Sequence, residues 1–61
     1  MRAFHVAFYN EYDDIVTATI YLELGEKANE LTIQAKINER YLNGRIKDYC
    51  TQVISWSLIE E

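Results

Sequence analysis

Alternation of apolar and polar positions predicts strands at both ends of the chain. In residues 2–9 (RAFHVAFY), Phe4, Val6 and Phe8 alternate with smaller or polar neighbours, which is the period of two that a half-buried strand shows. Residues 15–24 (IVTATIYLEL) are β-branched and aromatic, and residues 51–59 (TQVISWSLI) alternate again. The short polar segment 10–14 (NEYDD) favours a turn, so the first two strands form a predicted β-hairpin.

Residues 26–43 fit two structures. As a helix, the segment places Leu31, Ala35 and Leu42 on one stripe, and Asn43-Gly44 makes a C-terminal stop. As a strand, it ends in an Asn-Gly hairpin turn, which sets like charges opposite each other on two rungs. We therefore favour the helix, and a four-stranded all-β meander with a hairpin at Asn43-Gly44 is the alternative.

The resulting prediction is a single α+β domain over residues 1–61, in the order β-β-α-β. A right-handed crossover places the third strand beside the first, which gives an antiparallel sheet of order 2-1-3 with one helix on one face. Both the second and the third strands are then edges. The predicted core is Phe4, Val6, Phe8, Val16, Ala18, Ile20, Leu22, Leu31, Ala35, Leu42, Ile54, Trp56 and Leu58.

Two surfaces of this arrangement look unsuited to plain solvent. The sheet face away from the helix is uncharged and bears tyrosines, and the outer side of the helix mixes apolar residues with cations. Tyr and Arg are enriched at binding hot spots, so we expect both surfaces to bind protein. Together with two turn carboxylates, the predicted binding residues are Tyr9, Asp13, Asp14, Thr17, Thr19, Tyr21, Ile33, Ile37, Arg40 and Tyr41. The uncharged segment 15–22 is an edge that invites pairing with a host partner or with a second copy in a homodimer.

Composition removes several classes of function from this picture. With one histidine (His5) and one cysteine (Cys50), a metal site within one chain is not expected, and no cofactor motif is present. No nucleophile stands at a readable spacing from His5, so we expect no enzymatic activity. The net charge of −4 disfavours nucleic acid as a partner, although Lys36, Arg40, Arg45 and Lys47 with Tyr41 keep a nucleic-acid binder as an alternative, beside a structural subunit.

The absence of a signal-peptide pattern, of a membrane-length apolar stretch and of paired cysteines predicts a cytoplasmic protein. In size and predicted architecture, the chain with AFHVAFY, the turn across EYDDIV and the closing VISWSLIEE resembles small phage-encoded host-takeover proteins. That resemblance implies an inhibitor or adaptor that acts by binding a host protein. The uncharged sheet face and the acidic N-terminal half give such an inhibitor a mechanism, in which Glu11, Asp13, Asp14, Glu23 and Glu26 compete for a basic nucleic-acid groove on the target.

Overall fold

A computed structural model describes residues 1–60 and confirms the predicted α+β architecture. The elements are β1 (Arg2–Tyr9), β2 (Ile15–Leu22), α1 (Glu30–Leu42) and β3 (Gln52–Glu60). The strands form one antiparallel sheet of order β2-β1-β3, so β2 and β3 are the edges, as expected. The all-β alternative is wrong, because residues 30–42 are helical and no fourth strand occurs among residues 1–60.

The helix is shorter than predicted, with a side-chain cap at its N-terminus and backbone hydrogen bonds at its C-terminus. Asn29 caps the N-terminus, where its Oδ1 accepts a hydrogen bond from the Thr32 N–H at 2.9 Å. The helix ends at Leu42, and the N–H groups of Asn43 and Gly44 bond back to helix carbonyls. Gly44 has a φ of +74°, which a glycine adopts without strain, so the predicted Asn-Gly stop is confirmed.

The core lies between the sheet and one face of α1. It comprises Phe4, Val6, Phe8, Ile20, Leu22, Ile33, Ile37, Cys50 and Val53, with Val16, Ala18, Ala28 and Ile46 packed against it. The predicted contribution of β1 and β2 is therefore confirmed, since every β1 and β2 residue of the predicted core belongs to this cluster or contacts it.

The predicted core face of the helix is wrong. Ile33 and Ile37 are fully buried, whereas Leu31 and Leu42 are 81% and 80% exposed and Ala35 is exposed. The two stripes lie on nearly opposite sides of a helix with 3.6 residues per turn. Both are apolar, and the β-branched stripe is the one that packs on the sheet.

The predicted core face of β3 is wrong in part because the strand is irregular. Its register with β1 shifts twice, between Ala7 and Phe8 and between Ala3 and Phe4. The first shift pairs Val53 with Phe8 and inserts Ile54 as an extra residue, so Val53 is buried and Ile54 is not. A strict alternation read from the sequence cannot contain such an extra residue.

Candidate protein-binding surface

The β1–β2 turn is a fixed acidic projection built around one buried amide. Asn10 is the only buried polar side chain among residues 1–59, and its Oδ1 accepts hydrogen bonds from the N–H groups of Tyr12 and Asp14, both at 2.9 Å. Asp13 takes a left-handed φ of 63°, which Asp tolerates better than most residues. The turn therefore has a defined shape, which the Asn10 side chain and the backbone bonds between residues 10 and 14 maintain.

The same amide ties the turn to the segment that precedes β3. Asn10 Nδ2 donates to Asp48 Oδ1 at 3.0 Å, and the Thr51 N–H donates to the Tyr9 carbonyl at 2.9 Å. The Thr51 hydroxyl also lies within hydrogen-bond distance of the carbonyls of Tyr9 and Asn10. Contacts from residues about forty positions away thus hold the acidic turn against the domain.

What this turn presents to solvent is one aromatic ring among carboxylates. Tyr12 is 76% exposed, and Glu11, Asp13 and Asp14 are exposed around it. Sequence reasoning identified the two aspartates but missed Tyr12. The missed signal was its position between turn-forming residues, where no strand or helix packs against a side chain.

Beside the turn lies the open face of the sheet, turned away from α1. The register confirms the predicted membership of this face: Tyr21 pairs with Ala3, Thr19 with His5 and Thr17 with Ala7. On the other side of β1, Ser57 pairs with His5 and Ser55 with Ala7. From His5 to Tyr9 the face carries no carboxylate, ammonium or guanidinium group, and Tyr9 joins it to the turn. The structure thus places Tyr9, Thr17, Thr19 and Tyr21 on one sheet face, and Asp13 and Asp14 are exposed on the turn that joins β1 to β2.

The second predicted surface does not exist as expected. Ile33 and Ile37 belong to the core and reach no solvent, so they are unavailable to a partner. Tyr41 is half-buried, with its ring edge-on to Tyr49 at a centroid distance of 5.5 Å. Arg40 lies instead at the β2 side of the molecule, where its guanidinium is 6.0 Å from the centre of the Tyr21 ring.

Large apolar side chains are exposed where the sequence predicted core. Trp56 pairs with Val6 and Leu58 with Phe4, so both lie on the helix side of the sheet, yet they are 37% and 48% exposed. Ile54 and Ile59 on the same strand are also exposed. The shared face was predicted correctly, but α1 leaves this part of it uncovered.

Cys50 is a structural residue in this arrangement. It is fully buried, and burial raises the pKa of its thiol, which keeps it in the unreactive protonated form. Asn38 brackets its backbone, with Oδ1 accepting from the Cys50 N–H at 2.8 Å and Nδ2 donating to the Cys50 carbonyl at 3.2 Å. This amide joins the helix to the start of β3.

Two of the four cations predicted for the nucleic-acid alternative have side-chain partners among residues 1–60. Lys36 Nζ lies 3.3 Å from Glu26 Oε2, and Arg40 lies near Tyr21. Across residues 1–60, no three His, Cys, Asp or Glu side chains are grouped closely enough to hold a metal ion. The part of the chain that the structure describes has no helix with both the length and the apolarity to span a membrane.

Comparison with known proteins provides no relative from which a role for this surface could be proposed. No protein-family model matches the chain, and no curated protein or solved structure matches it significantly.

Proposed function

We propose that this protein is a small non-enzymatic binding module that docks on a basic protein surface. The supporting observation is the turn that Asn10 holds in one shape, with exposed Tyr12 set among Glu11, Asp13 and Asp14. The uncharged sheet face that begins at Tyr9 extends this contact area.

Three physical properties of the turn suit it to this role. A preformed loop loses little conformational entropy on binding, which is a main cost of association. Exposed carboxylates speed the encounter with a basic partner and select its charge. An exposed tyrosine supplies the large amphipathic contact that is enriched at hot spots.

The face beside the turn supports a partner that is flat and weakly charged where it meets the sheet. Its rows Ser57–His5–Thr19 and Ser55–Ala7–Thr17 are small side chains apart from the exposed ring of His5, so the surface has few projections. A charged group placed against this face would lose water without gaining a counter-ion, which costs free energy. The basic part of the partner is therefore expected at the turn, and its neutral part over the sheet.

An inhibitor or adaptor fits this proposal. A basic groove that binds nucleic acid offers the charge that the turn complements, so occupation by this protein would exclude the nucleic acid. The resemblance to phage host-takeover proteins stays a prediction, under which the groove belongs to a host protein.

The test compares two variants that lose the same charge at different places. Asp13→Asn/Asp14→Asn removes two turn carboxylates, and Asn keeps the left-handed conformation accessible at position 13. Glu30→Gln/Glu39→Gln removes two exposed carboxylates from α1 and is the control. Partners captured by the wild type are identified, purified and titrated against each variant by calorimetry at two salt concentrations.

We expect the turn variant to bind at least tenfold more weakly and the helix control to stay within about twofold, and Tyr12→Ala to weaken binding by a similar factor. Wild-type affinity should fall as salt is raised, because the attraction is between exposed charges. Equal affinity of the two charge variants would refute the acidic turn as the binding site.

A further inference from the structure

The outer edge of β2 is the smoother of the two sheet edges. Over all eight residues β2 pairs with β1 without a register shift, and the segment contains neither a charge nor a proline. By contrast, β3 departs from regular register twice. Bulges, charges and prolines are the devices that protect an edge strand from pairing with another chain. By these criteria β3 is protected and β2 is open.

We infer that β2 pairs with β2 of a second copy of this chain, antiparallel and with Ala18 on the two-fold axis. The result is a continuous six-stranded sheet of order β3-β1-β2-β2-β1-β3. This inference goes beyond the proposed function and rests on the edge of β2; of the acidic turn it uses only Asp14, which adjoins that edge.

Sheet geometry limits the registers that such a pair can adopt. Residues opposite each other in an antiparallel pair point to the same face. For both helices to lie on one side, even-numbered β2 residues must face even-numbered ones. Centring the pair on Ala18 satisfies this condition and keeps seven residues, 15–21, within the shared ladder.

The pairs that this register creates are chemically matched. Ile15 lies opposite Tyr21, Val16 opposite Ile20, and Thr17 opposite Thr19. Aromatic with β-branched and threonine with threonine are among the pairs that stabilise antiparallel sheets. Ile15 and Tyr21 are 63% and 45% exposed in the single chain, so the pairing covers the two large apolar side chains of this strand that face solvent.

Charge also favours a second copy. Arg40 lies beside Tyr21, and in this register Tyr21 faces Ile15 of the second copy, whose neighbour is Asp14. Each end of the paired strands therefore brings a guanidinium toward a carboxylate. The chain turns away at Asp13, whose φ is 63°, so that residue does not extend the ladder toward Glu23.

The expected association is concentration-dependent. One strand pair with its flanking side chains covers less than the roughly 1,200 Å² that stable interfaces bury in total, so monomer and dimer should coexist at accessible concentrations.

The first test uses two lysine variants on one row of the sheet. Thr19 and Ser57 are both exposed, lie on the open face and pair with the same residue, His5, but Thr19 is on β2 and Ser57 on β3. In sedimentation equilibrium, the apparent mass of the wild type should rise from the 7.2 kDa of one chain toward twice that value as concentration increases. Thr19→Lys should weaken dimerisation at least tenfold, and Ser57→Lys should leave it unchanged within about twofold. Circular dichroism checks that both variants are folded.

The second test reads the register directly. A mixture of Thr17→Cys and Thr19→Cys chains should form disulfide-linked heterodimers under mild oxidation, faster than either variant links to itself. Wild-type chains, whose Cys50 is buried, serve as the control. Three results overturn the inference: a monomeric wild type at millimolar concentration, equal loss of dimer in both lysine variants, or faster self-linking of Thr19→Cys. Equal loss would place the contact on the open face, and none of these results bears on the acidic turn.

Discussion

The strands β2 and β3 flank the same central strand, yet they meet solvent differently. Across one row, Phe4 pairs with Ile20 on β2 and with Leu58 on β3. Ile20 is fully buried, whereas Leu58 is about half exposed. The sheet presents the same face at both positions, so the helix and its connections must determine the difference. In the rows of Phe4 and Val6, the layer above the sheet leaves Leu58 and Trp56 of β3 exposed, whereas in the row of Phe8 the β3 residue Val53 is buried.

The outer edges of β2 and β3 differ in regularity, and the strand with the more buried inner face has the less protected edge. Strand β2, whose Ile20 and Leu22 are fully buried, has a regular outer edge, and β3, whose Trp56 and Leu58 are exposed, has an irregular one. Burial of the inner face and protection of the outer edge are thus separate properties of a strand. In this molecule, each edge strand leaves a different part of itself available for contact.

The difference in burial between Ile20 and Leu58, the two partners of Phe4, should produce the largest effect on stability. Ile20→Ala removes fully buried methyl groups and should cost about 2–5 kcal/mol of unfolding free energy. Leu58→Ala, from a side chain already half in water, should cost roughly 1 kcal/mol. Urea denaturation measures both. Because a domain of this size is stable by only about 3–5 kcal/mol, Ile20→Val at about 0.5–1.5 kcal/mol is the fallback. Equal costs for Ile20→Ala and Leu58→Ala would contradict the asymmetry.

Hydrogen bonds from Asn38 hold the segment just before β3, and their loss should have the second-largest effect. Asn38→Ala removes two hydrogen bonds to the buried backbone of Cys50 and should destabilise the protein by about 1–3 kcal/mol. The loss should appear first near β3, so labelling of the Cys50 thiol by an alkylating reagent should accelerate at least tenfold. Asn43→Ala, at an exposed position just after the helix, is the matched control. Unchanged labelling of Asn38→Ala would show that this amide does not hold the start of β3.

The smallest effect is expected just after β2, where substitution of Lys36 should change the pKa of Glu26 only slightly. There the Glu26 carboxylate accepts a hydrogen bond from the Glu23 N–H at 2.8 Å, and chiefly this bond lowers the Glu26 pKa, with help from Lys36. A lowered folded-state pKa stabilises the fold above the unfolded pKa, and that stabilisation is lost as pH falls through the folded one. In an NMR titration, Lys36→Gln should leave most of the lowering in place, and Arg45→Gln should leave all of it. If the pKa of Glu26 returned to its ordinary value in Lys36→Gln, the ion pair with Lys36, and not the Glu23 N–H, would be the main cause of the lowered pKa.

The sequence alone was sufficient for the strands, the helix, their order and the inward faces of β1 and β2. Period-two alternation specifies those faces wherever a strand is regular, as it is from Phe4 to Phe8. The open face followed from the same alternation. The acidic turn was predicted in part, since Asn10 and the aspartates favour a turn through local side-chain to backbone bonds, and Asn10 does accept such bonds from Tyr12 and Asp14. Its bond to Asp48 was not predicted, because that partner is distant in sequence.

Tertiary structure decided which helix stripe is buried. Leu31, Ala35 and Leu42 form one apolar stripe and Ile33 and Ile37 another, and composition does not choose between them. Ile33 and Ile37 pack into the same cluster as Phe4, Val6 and Phe8 of the sheet, while Asn38 on the flank of the helix bonds to the backbone of Cys50. Likewise, the extra residue in β3 exists only relative to its pairing with β1. Periodicity is a property of a segment, whereas helix rotation and strand register are relations between segments, which only the folded chain specifies.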